Sequence, residues 1–423
     1  MCNVFETIQT GFSCKAGYGF FMTKPILIVG GGLSGLACAV TLAKAGTPFE
    51  LFEGSNRWGG RAGSDCKDGY ILDRGFQVFL DAYPTATELL DLEALELKPF
   101  ASGALVCMGG GLKQMADPFR HPRALFRTLA GPLPPADLLR LGRLTLKLKS
   151  MLPEDALLVP DVSTLTFLQN FGFSDKALVR FWRPFLGGIF LEAELSTSSR
   201  MFHFVFSLFA RGRATLPREG MQAIPDQLAA KLPKDSLHLN TRVTELTPEG
   251  VRFADGAWVD GSAVVDARDP WVDPEAPGAC GTVCFYFACD VVPWTGPWLV
   301  LCPETEHINT LTDLTSLHPG VAPAGKHLVS VSSLNPNAIE EDVRADLLAL
   351  PGVNVEHWTL IERIAVPYAL PAQPPGHLSP PSRTGASVNG LLRCGDFLET
   401  ASIEGAIASG KRVGELLLKQ CKW

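Results

Sequence analysis

The fold class of this chain is decided by the stretch Pro25-Ile26-Leu27-Ile28-Val29-Gly30-Gly31-Gly32-Leu33-Ser34-Gly35. Its apolar, β-branched half predicts a short strand, and the glycines that follow predict a tight turn into a helix over residues 33–45. A second strand is predicted over residues 48–52. Strand, turn, helix and strand within about 30 residues form a βαβ unit, which implies parallel strands and a right-handed crossover. We therefore predict an α/β fold with a Rossmann-like core.

The glycine spacing in this turn is typical of a dinucleotide-binding site. Gly30 permits the tight turn, Gly32 lets the backbone approach a pyrophosphate, and Gly35 lets the helix pack closely on the strand. Glu53 ends the second strand, where its carboxylate can accept hydrogen bonds from a ribose and would repel a 2'-phosphate. The contacts predicted at this end of the cofactor are Gly30, Gly32, Leu33, Ser34, Gly35 and Glu53.

The residues that follow distinguish NAD from FAD, and they read Gly54-Ser55-Asn56-Arg57-Trp58-Gly59-Gly60-Arg61. The stretch 29–61 resembles the FAD-binding signature of the superfamily of flavin-containing amine oxidases, protoporphyrinogen oxidases and phytoene desaturases, in which Gly-Gly-Arg follows the ribose-binding acid. The resemblance implies an FAD cofactor. It also implies contacts along the pyrophosphate and ribityl chain from Arg57, Gly59, Gly60 and Arg61, and Gly54 is a further candidate cofactor contact.

The C-terminal region resembles the closing flavin motif of the same superfamily. A strand over residues 391–394 ends in Gly395-Asp396, and a helix rich in small residues begins near Ser402. The N-terminus of that helix would place a positive dipole near the flavin carbonyl that becomes anionic on reduction. The contacts implied here are Gly395, Asp396, Ser402, Ile403, Ala406 and, from a weaker match at residues 241–243, the backbone at Val243. Residues 267–270 depart from the pattern of the superfamily.

The resemblance further implies a discontinuous FAD-binding domain and a second domain that covers the flavin. We expect the FAD-binding domain at residues 22–85, 214–281 and 388–423, and an α+β substrate domain at residues 86–213 and 282–387. Residues 83–212 show mainly helical patterns, and residues 237–266 predict a small β meander. Residues 180–185, within the helical stretch, predict a tight helix-loop packing joint, and residues 367–382 predict a proline-rich loop. Residues 1–21 are expected to be an N-terminal extension.

The substrate domain gives fewer indications of chemistry. Amine oxidases of the superfamily commonly hold a water at flavin N5 with a lysine, and the corresponding run 279–287 contains no basic residue. The chain is therefore closer in character to phytoene-desaturase-like and carotene-isomerase-like members. Candidate substrate contacts are Arg74 and Phe76, which by resemblance pass beside the flavin ring, and Phe204 in an aromatic run. Arg74 fits an internal ion pair equally well, and the aromatic run also fits an ordinary helix core. No catalytic residue is assigned.

These observations favour an FAD-dependent oxidoreductase that desaturates or isomerises an apolar, isoprenoid- or carotenoid-like substrate with hydride transfer at flavin N5. Its electron acceptor is not identified by the sequence. One alternative is a flavin oxidase of amines or of a porphyrinogen-like ring. A second alternative is a non-redox relative of the fold that binds prenylated proteins, like the Rab GDP-dissociation inhibitors, although those relatives have lost flavin contacts that this sequence retains.

Composition narrows the classes of partner. The net charge of -7 argues against nucleic acid as the main partner. The 11 cysteines show no spacing typical of a metal site, so we expect reduced thiols, no metal and a cytoplasmic location. No stretch reaches the roughly 18 apolar residues of a membrane-spanning helix. The segment 113–149 is locally basic and leucine-rich, which fits either a helix lying on anionic lipid or a solvated basic face.

Overall fold

The βαβ unit expected from residues 25–52 is present. The structure is a computed structural model that describes residues 24–116, 128–272, 278–385, 387–388 and 390–420. Strand β1 (Ile26–Val29) pairs in parallel with β2 (Phe49–Phe52), and helix α1 (Leu33–Lys44) connects them. All four residues of β1 are buried, as is typical of a strand in a parallel sheet. The extension at residues 1–21 lies outside the described residues.

The further strands assemble into two large sheets and several small ones. In chain order they are β3 (Ser64–Lys67), β4 (Tyr70–Asp73), β5 (Phe79–Leu80), β6 (Lys98–Pro99), β7 (Gly103–Met108), β8 (Gly111–Ala116), β9 (Ala214–Leu216), β10 (Leu237–His238), β11 (Val243–Thr247), β12 (Gly250–Phe253), β13 (Trp258–Asp260), β14 (Ala263–Asp266), β15 (Ala279–Cys289), β16 (Leu299–Leu301), β17 (Thr310–Asp313), β18 (His327–Ser333), β19 (Thr359–Pro371), β20 (Ser387–Val388) and β21 (Leu391–Arg393).

The first large sheet has the order β10-β2-β1-β14-β21-β20, with only β20 antiparallel to its neighbour. The second has the order β19-β15-β18-β17-β16-β7-β8 and is antiparallel except where β16 meets β7. Strands β11 to β13 form the expected antiparallel meander. The predicted α/β class with a Rossmann-like sheet is confirmed. The predicted domain limits stay a prediction, and the limit between 281 and 282 falls inside β15.

The helices lie largely between residues 135 and 211. They are α2 (Pro84–Leu89), α3 (Pro135–Lys149), α4 (Pro153–Ala156), α5 (Thr164–Phe171), α6 (Asp175–Ala177), α7 (Arg183–Phe190), α8 (Ser199–Arg211), α9 (Ala223–Ala229), α10 (Glu340–Leu348) and α11 (Ile403–Gln420). A π-helical turn at Leu178–Trp182 joins α6 to α7. Among the helices of the described ranges, none has the length and hydropathy needed to cross a bilayer.

Strand β15 is buried on both of its faces. Val283, Phe285 and Phe287 point into a core beneath α10, whereas the side chains between them point into the core shared with the Rossmann-like sheet. This alternation follows from the two-residue period of a strand. The second large sheet therefore forms a wall between an outer core and the interior of the molecule.

Helices α1 and α11 cross in close contact behind the glycine turn. A Cβ atom on Gly410 would lie 1.9 Å from the carbonyl oxygen of Ser34, and one on Gly414 would lie 2.7 Å from Cβ of Thr41. Glycine is therefore required at the crossing by the approach of two backbones. The C-terminal helix is thereby held against the N-terminal βαβ unit.

Three sequence expectations differ from the structure. Residues 98–116, expected within a largely helical insertion, form β6, β7 and β8, because β7 finds its partner in the distant β16. The proline-rich stretch 367–382 was expected to be a loop, but β19 continues to Pro371 through its pairing with β15. The stretch 180–185, expected to be a helix-loop joint, is a π-helical turn continuing directly into α7.

Candidate functional site

A cavity of about 1050 Å³ lies between the Rossmann-like sheet, the second large sheet and the helices of residues 135–211. Its lining reaches from Gly32, at the turn before α1, to Lys149, at the end of α3. Ligand sites usually measure roughly 300–1000 Å³. The volume therefore leaves room for a dinucleotide chain and a substrate together. We call the part near Gly32 the cofactor end and the part near α3 the substrate end.

The cofactor end is built from backbone that can approach a phosphate. Gly32, Leu33 and Ser34 line it at the N-terminus of α1, which no side chain caps. A Cβ on Gly32 would meet no atom within 4 Å, so this backbone faces open space. Gly59 and Gly60 line it directly beside the turn, where the Gly59 N–H donates to the Gly31 carbonyl at 2.8 Å; both are at positive φ, which glycine adopts readily. Uncapped N–H groups and a helix dipole fit an anionic pyrophosphate.

Arg61 is held at this end by several acceptors. Its Nη1 and Nη2 atoms donate to the two carboxylate oxygens of Asp396 at 2.8 and 2.6 Å, and Nη1 also donates to the carbonyl of Ala369 at 3.0 Å. Its Nε atom lies 3.3 Å from Oδ1 of Asp269. Burial acts to lower the pKa of Arg61, but the two carboxylates raise it above its usual range. The guanidinium is a permanent, oriented cation, as an arginine beside a pyrophosphate should be.

The C-terminal motif reaches the same cavity. Gly395, Asp396, Ser402, Ile403 and Ala406 all line it. Ser402 accepts a hydrogen bond from the Gly405 N–H at 3.0 Å and so caps the start of α11. The structure thus brings two helix N-termini, those of α1 and α11, to one end of the cavity. The positive ends of both dipoles favour a ligand that carries or develops negative charge.

The remaining predicted cofactor contacts lie outside the cavity lining. Gly30 and Gly35 form the turn itself, since a Cβ on Gly35 would lie 1.9 Å from the Gly30 carbonyl oxygen. The Glu53 carboxylate accepts from the Gly31 N–H at 2.7 Å and from the Ser55 N–H at 2.8 Å, so it closes the turn.

Three further predicted contacts lie away from the lining as well. Arg57 donates to the Gln222 side chain and to the Gly60 carbonyl, and so braces the loop of the Gly-Gly-Arg motif. Val243 is buried at the start of β11, and Gly54 lies near Arg242. The cofactor contacts of Glu53, Gly54, Arg57 and Val243 therefore remain predictions.

The substrate end is apolar and largely aromatic. Phe76 and Phe100 meet edge to face with ring centroids 6.0 Å apart. Phe181 and Phe185 stack with centroids 5.2 Å apart, and Phe206 packs against Phe185. The aliphatic part of the wall comes from α3, α7 and β8, with Leu138, Leu139, Leu141, Leu146, Ile189 and Met115.

Two of the three predicted substrate contacts line the cavity, and the third does not. Phe76 lines the cavity, and Arg74 lines it while forming a two-point ion pair with Asp65 at 2.9 and 3.1 Å. Arg74 thus forms the internal ion pair that the sequence allowed, with Asp65 as its partner, and its contact with substrate stays a prediction. Phe204 is buried in the core, and its neighbours Val205 and Phe206 face the cavity instead.

Sequence reasoning missed Phe181 and Phe185, which it assigned to a packing joint. Five aromatic or cationic residues within residues 180–185 are an available signal, but the change of helix face introduced by a π-helical turn cannot be predicted from residue spacing alone.

A buried carboxylate supports the loop beside the cavity. Asp73 accepts hydrogen bonds at a single oxygen, from the Ser64 hydroxyl at 2.5 Å and the Met221 N–H at 2.9 Å. Burial raises the pKa of Asp73 to about 6, against the lowering effect of these two bonds. The Tyr286 hydroxyl donates to the carbonyl of Asp73 at 2.7 Å. This network fixes the start of the loop that carries Arg74 and Phe76.

Comparison with known protein families assigns the chain to one of them. The family model described as flavin containing amine oxidoreductase matches residues 33–277, which is more than half of the chain. The chain belongs to this family. It is an FAD-dependent oxidoreductase, and the glycine turn, Arg61 and the two helix N-termini fit that cofactor.

Individual relatives match over shorter stretches. The chain is 36% identical over 62 residues to 4,4'-diaponeurosporene oxygenase of Staphylococcus aureus, covering 15% of this chain and 12% of that protein. It is 27% identical over 176 residues to coproporphyrinogen III oxidase of Propionibacterium freudenreichii, covering 39% and 31%. The matches thus span about an eighth and about a third of these curated relatives.

Among solved structures, an oxidoreductase from Methanosarcina mazei superposes with a TM-score of 0.71 at 19% identity, covering 92% of this chain and 100% of that one. At this identity the likeness shows the fold, and it does not indicate a substrate.

Proposed function

We propose that this FAD-dependent oxidoreductase acts on an elongated apolar substrate of isoprenoid or carotenoid type, which it desaturates or isomerises. The observation that carries the proposal is the composition of the substrate end. Its wall is aromatic and aliphatic, and three arginines that line the cavity are held by partners behind the wall. They pair with carboxylates as Arg74 with Asp65, Arg213 with Asp81 and Arg268 with Asp266.

The charges of the cavity disfavour an amine substrate. Placing a protonated amine in an apolar cavity costs free energy unless a carboxylate that is free to bind it lies nearby. Of the described residues, the acidic side chains that line the cavity are Asp269 and Asp396, and both are paired with Arg61. Strand β15 contributes Thr282 to the lining, and its hydroxyl is directed to the carbonyl of Ser333 at 2.8 Å. The lysine that lines the described cavity, Lys149, lies at the opposite end on α3.

A porphyrinogen is the second candidate, because the longer curated match is to coproporphyrinogen III oxidase. Such a macrocycle carries several carboxylates, which need cations that are free to bind them. The three paired arginines do not meet this need, and Lys149 supplies one charge. The match to 4,4'-diaponeurosporene oxygenase supports a carotenoid-like substrate instead, and the apolar wall agrees with it.

The apolar wall of the substrate end indicates what the protein's own residues contribute to the reaction. Bound FAD supplies the two-electron acceptor that takes a hydride from a substrate carbon. A carbon chain would be contacted through its apolar surface by the rings of Phe181, Phe185 and Phe206. These contacts would align the chain and exclude water. A desaturation would remove one hydride and one proton from adjacent substrate carbons, so turnover would also need an external two-electron acceptor.

Anaerobic reduction of the holoprotein tests the proposal. The protein with bound FAD is mixed separately with a detergent-solubilised linear carotenoid precursor, with putrescine and with coproporphyrinogen, and the visible flavin band is followed. Bleaching by the carotenoid precursor, with a product that has one more double bond, supports desaturation. Formation of an isomer without net bleaching supports isomerisation. Bleaching by putrescine or by coproporphyrinogen alone refutes the apolar assignment.

A further inference from the structure

Helix α3 exposes large apolar side chains to solvent. Leu139 and Leu146 are 73% and 61% exposed, and Leu129, just before the helix, is 51% exposed. We call Leu129, Leu139 and Leu146 the mouth surface. The opposite side of α3 is buried through Leu144 and Leu148, which pack in the main core. Helix α3 therefore has two apolar stripes, of which one is buried and the other, with Leu139 and Leu146, is exposed.

The mouth surface is continuous with the cavity. All three of its leucines line the cavity, together with Leu138, Gly142, Thr145 and Lys149 at helical spacing on the same side of α3. Side chains that are more than half exposed and also line a cavity lie at its opening. The apolar substrate end therefore opens to solvent between exposed leucines.

The charges around this opening are mainly positive. Arg143, Lys147 and Lys149 are exposed on α3, and Arg211 donates to the carbonyl of Lys149 at 3.4 Å. The acid within α3, Asp137, is buried and hydrogen-bonded to Arg140 and Ser174. The exposed acids Glu154 and Asp155 come after the helix and do not line the cavity. An exposed apolar stripe flanked by cations is the pattern of a helix that lies in a lipid–water interface.

We propose that the mouth surface docks on an anionic lipid bilayer, so that the apolar substrate passes from the bilayer into the cavity without crossing water. The inference rests on the proposed function, because an apolar substrate is the reason to place the opening in lipid. A second copy of the chain is a poorer occupant, since a symmetric contact through this surface would bring Arg143 and Lys147 of both copies together. The upstream part of the basic segment, residues 117–127, lies outside the described residues and is not part of the argument.

Vesicle flotation of the holoprotein tests the docking directly. The probes are phosphatidylcholine vesicles with and without phosphatidylglycerol. We expect binding to the anionic vesicles that weakens with salt. The double variant L139S/L146S should lower the partition coefficient at least about tenfold, from the lost burial of two leucines. The matched control is Leu348→Ser on α10, a leucine that is 69% exposed and does not line the cavity.

The cations are tested separately from the cavity. Arg143 and Lys147 do not line it, so R143Q/K147Q should weaken anionic binding by about fivefold for each charge removed. With a detergent-solubilised substrate, the rate of flavin reduction in the same variant should be unchanged. Lys419→Gln, an exposed lysine near the end of α11, is the control.

Failures of the two proposals are distinguishable. Absence of vesicle binding by the holoprotein, or a dimer that L139S/L146S dissociates, overturns the docking even if the carotenoid precursor reduces the flavin. Equal binding to both kinds of vesicle also overturns it, because the cations would then have no role. Anionic binding that depends on the leucines, in a protein whose flavin only coproporphyrinogen reduces, supports the docking and refutes the proposed substrate.

Discussion

The substitution Gly410→Ala should loosen the cofactor site from behind. The added Cβ would lie 1.9 Å from the carbonyl oxygen of Ser34, whereas real Cβ contacts essentially never fall below 3.0 Å. Helices α1 and α11 must therefore separate locally by about 1.1 Å, the difference between these two distances. Overpacking of this kind costs about 1–3 kcal/mol, and we expect the upper end because both sides of the contact are backbone.

The consequence for the cofactor follows from the position of Ser34. It lies in the first turn of α1 and lines the cofactor end, so the displacement moves the N–H groups proposed to face the pyrophosphate. We expect a lower melting temperature, by roughly 1 °C for each kcal/mol because the unfolding entropy grows with chain length, together with weaker FAD binding. Thermal unfolding by circular dichroism gives the first quantity, and the rise of flavin fluorescence on release gives the second.

The matched control is Gly142→Ala, which also lies within a helix. A Cβ on Gly142 meets no atom within 4 Å, so alanine there should stabilise the protein by up to about 1 kcal/mol. If Gly410→Ala melts at the temperature of the native chain, or behaves like Gly142→Ala, the close crossing of the two helices is wrong.

Three further predictions concern other parts of the site. Asp73→Asn keeps an oxygen for both hydrogen bonds and removes a buried charge. The pKa of Asp73 is about 6 in the folded protein and 3.8 for the free side chain. The native protein therefore loses stability as pH rises from about 4 to about 6, where the carboxylate must ionise in a buried site. Urea unfolding should show the variant more stable by about 1–3 kcal/mol at pH 8 and little changed at pH 4. Phe185→Ala should lower kcat/KM for an apolar substrate at least about tenfold with FAD affinity unchanged, whereas Phe204→Leu should lower stability without that kinetic effect. Glu53→Gln should weaken FAD binding at least about tenfold, measured by flavin fluorescence quenching, because the carboxylate both closes the turn at Gly31 and is expected to bind the ribose.

Each of these has a clear contrary result. Equal stability gains at pH 4 and pH 8 would show that the effect of Asp73→Asn is not electrostatic. A kinetic defect of Phe204→Leu as large as that of Phe185→Ala would mean that the Phe204 side chain also contacts the substrate. Full FAD affinity in Glu53→Gln would show that the Glu53 carboxylate does not contribute to binding of the cofactor.

The local part of the fold was predictable because its signals are local. A β-branched run, glycines at fixed spacing and a terminal acid occur within residues 26–53, and each has a steric or electrostatic reason to stand there. The strand at residues 103–108 was not predictable, because β7 is stabilised by parallel pairing with β16, almost two hundred residues away. Propensity does not report such pairing.

The candidate site divides in the same way. Backbone groups that face a phosphate leave a glycine signature, so Gly32, Gly59 and Gly60 could be named from the sequence. The apolar wall leaves no such signature, because Phe181 on the wall and Phe204 in the core satisfy the same hydrophobic requirement. Their difference arises from which side of each helix faces the cavity and which side packs on neighbouring elements.

The bond between Arg61 and Asp396 joins residues that are 335 positions apart. Strand β21 likewise takes its place beside β14 only after residues 391–393 have been made. During synthesis the glycine turn therefore leaves the ribosome long before the residues proposed to complete its pocket. We expect FAD to be bound fully only after Asp396 and the start of α11 have been made, so a chain truncated before them would carry the recognisable motif and still be colourless.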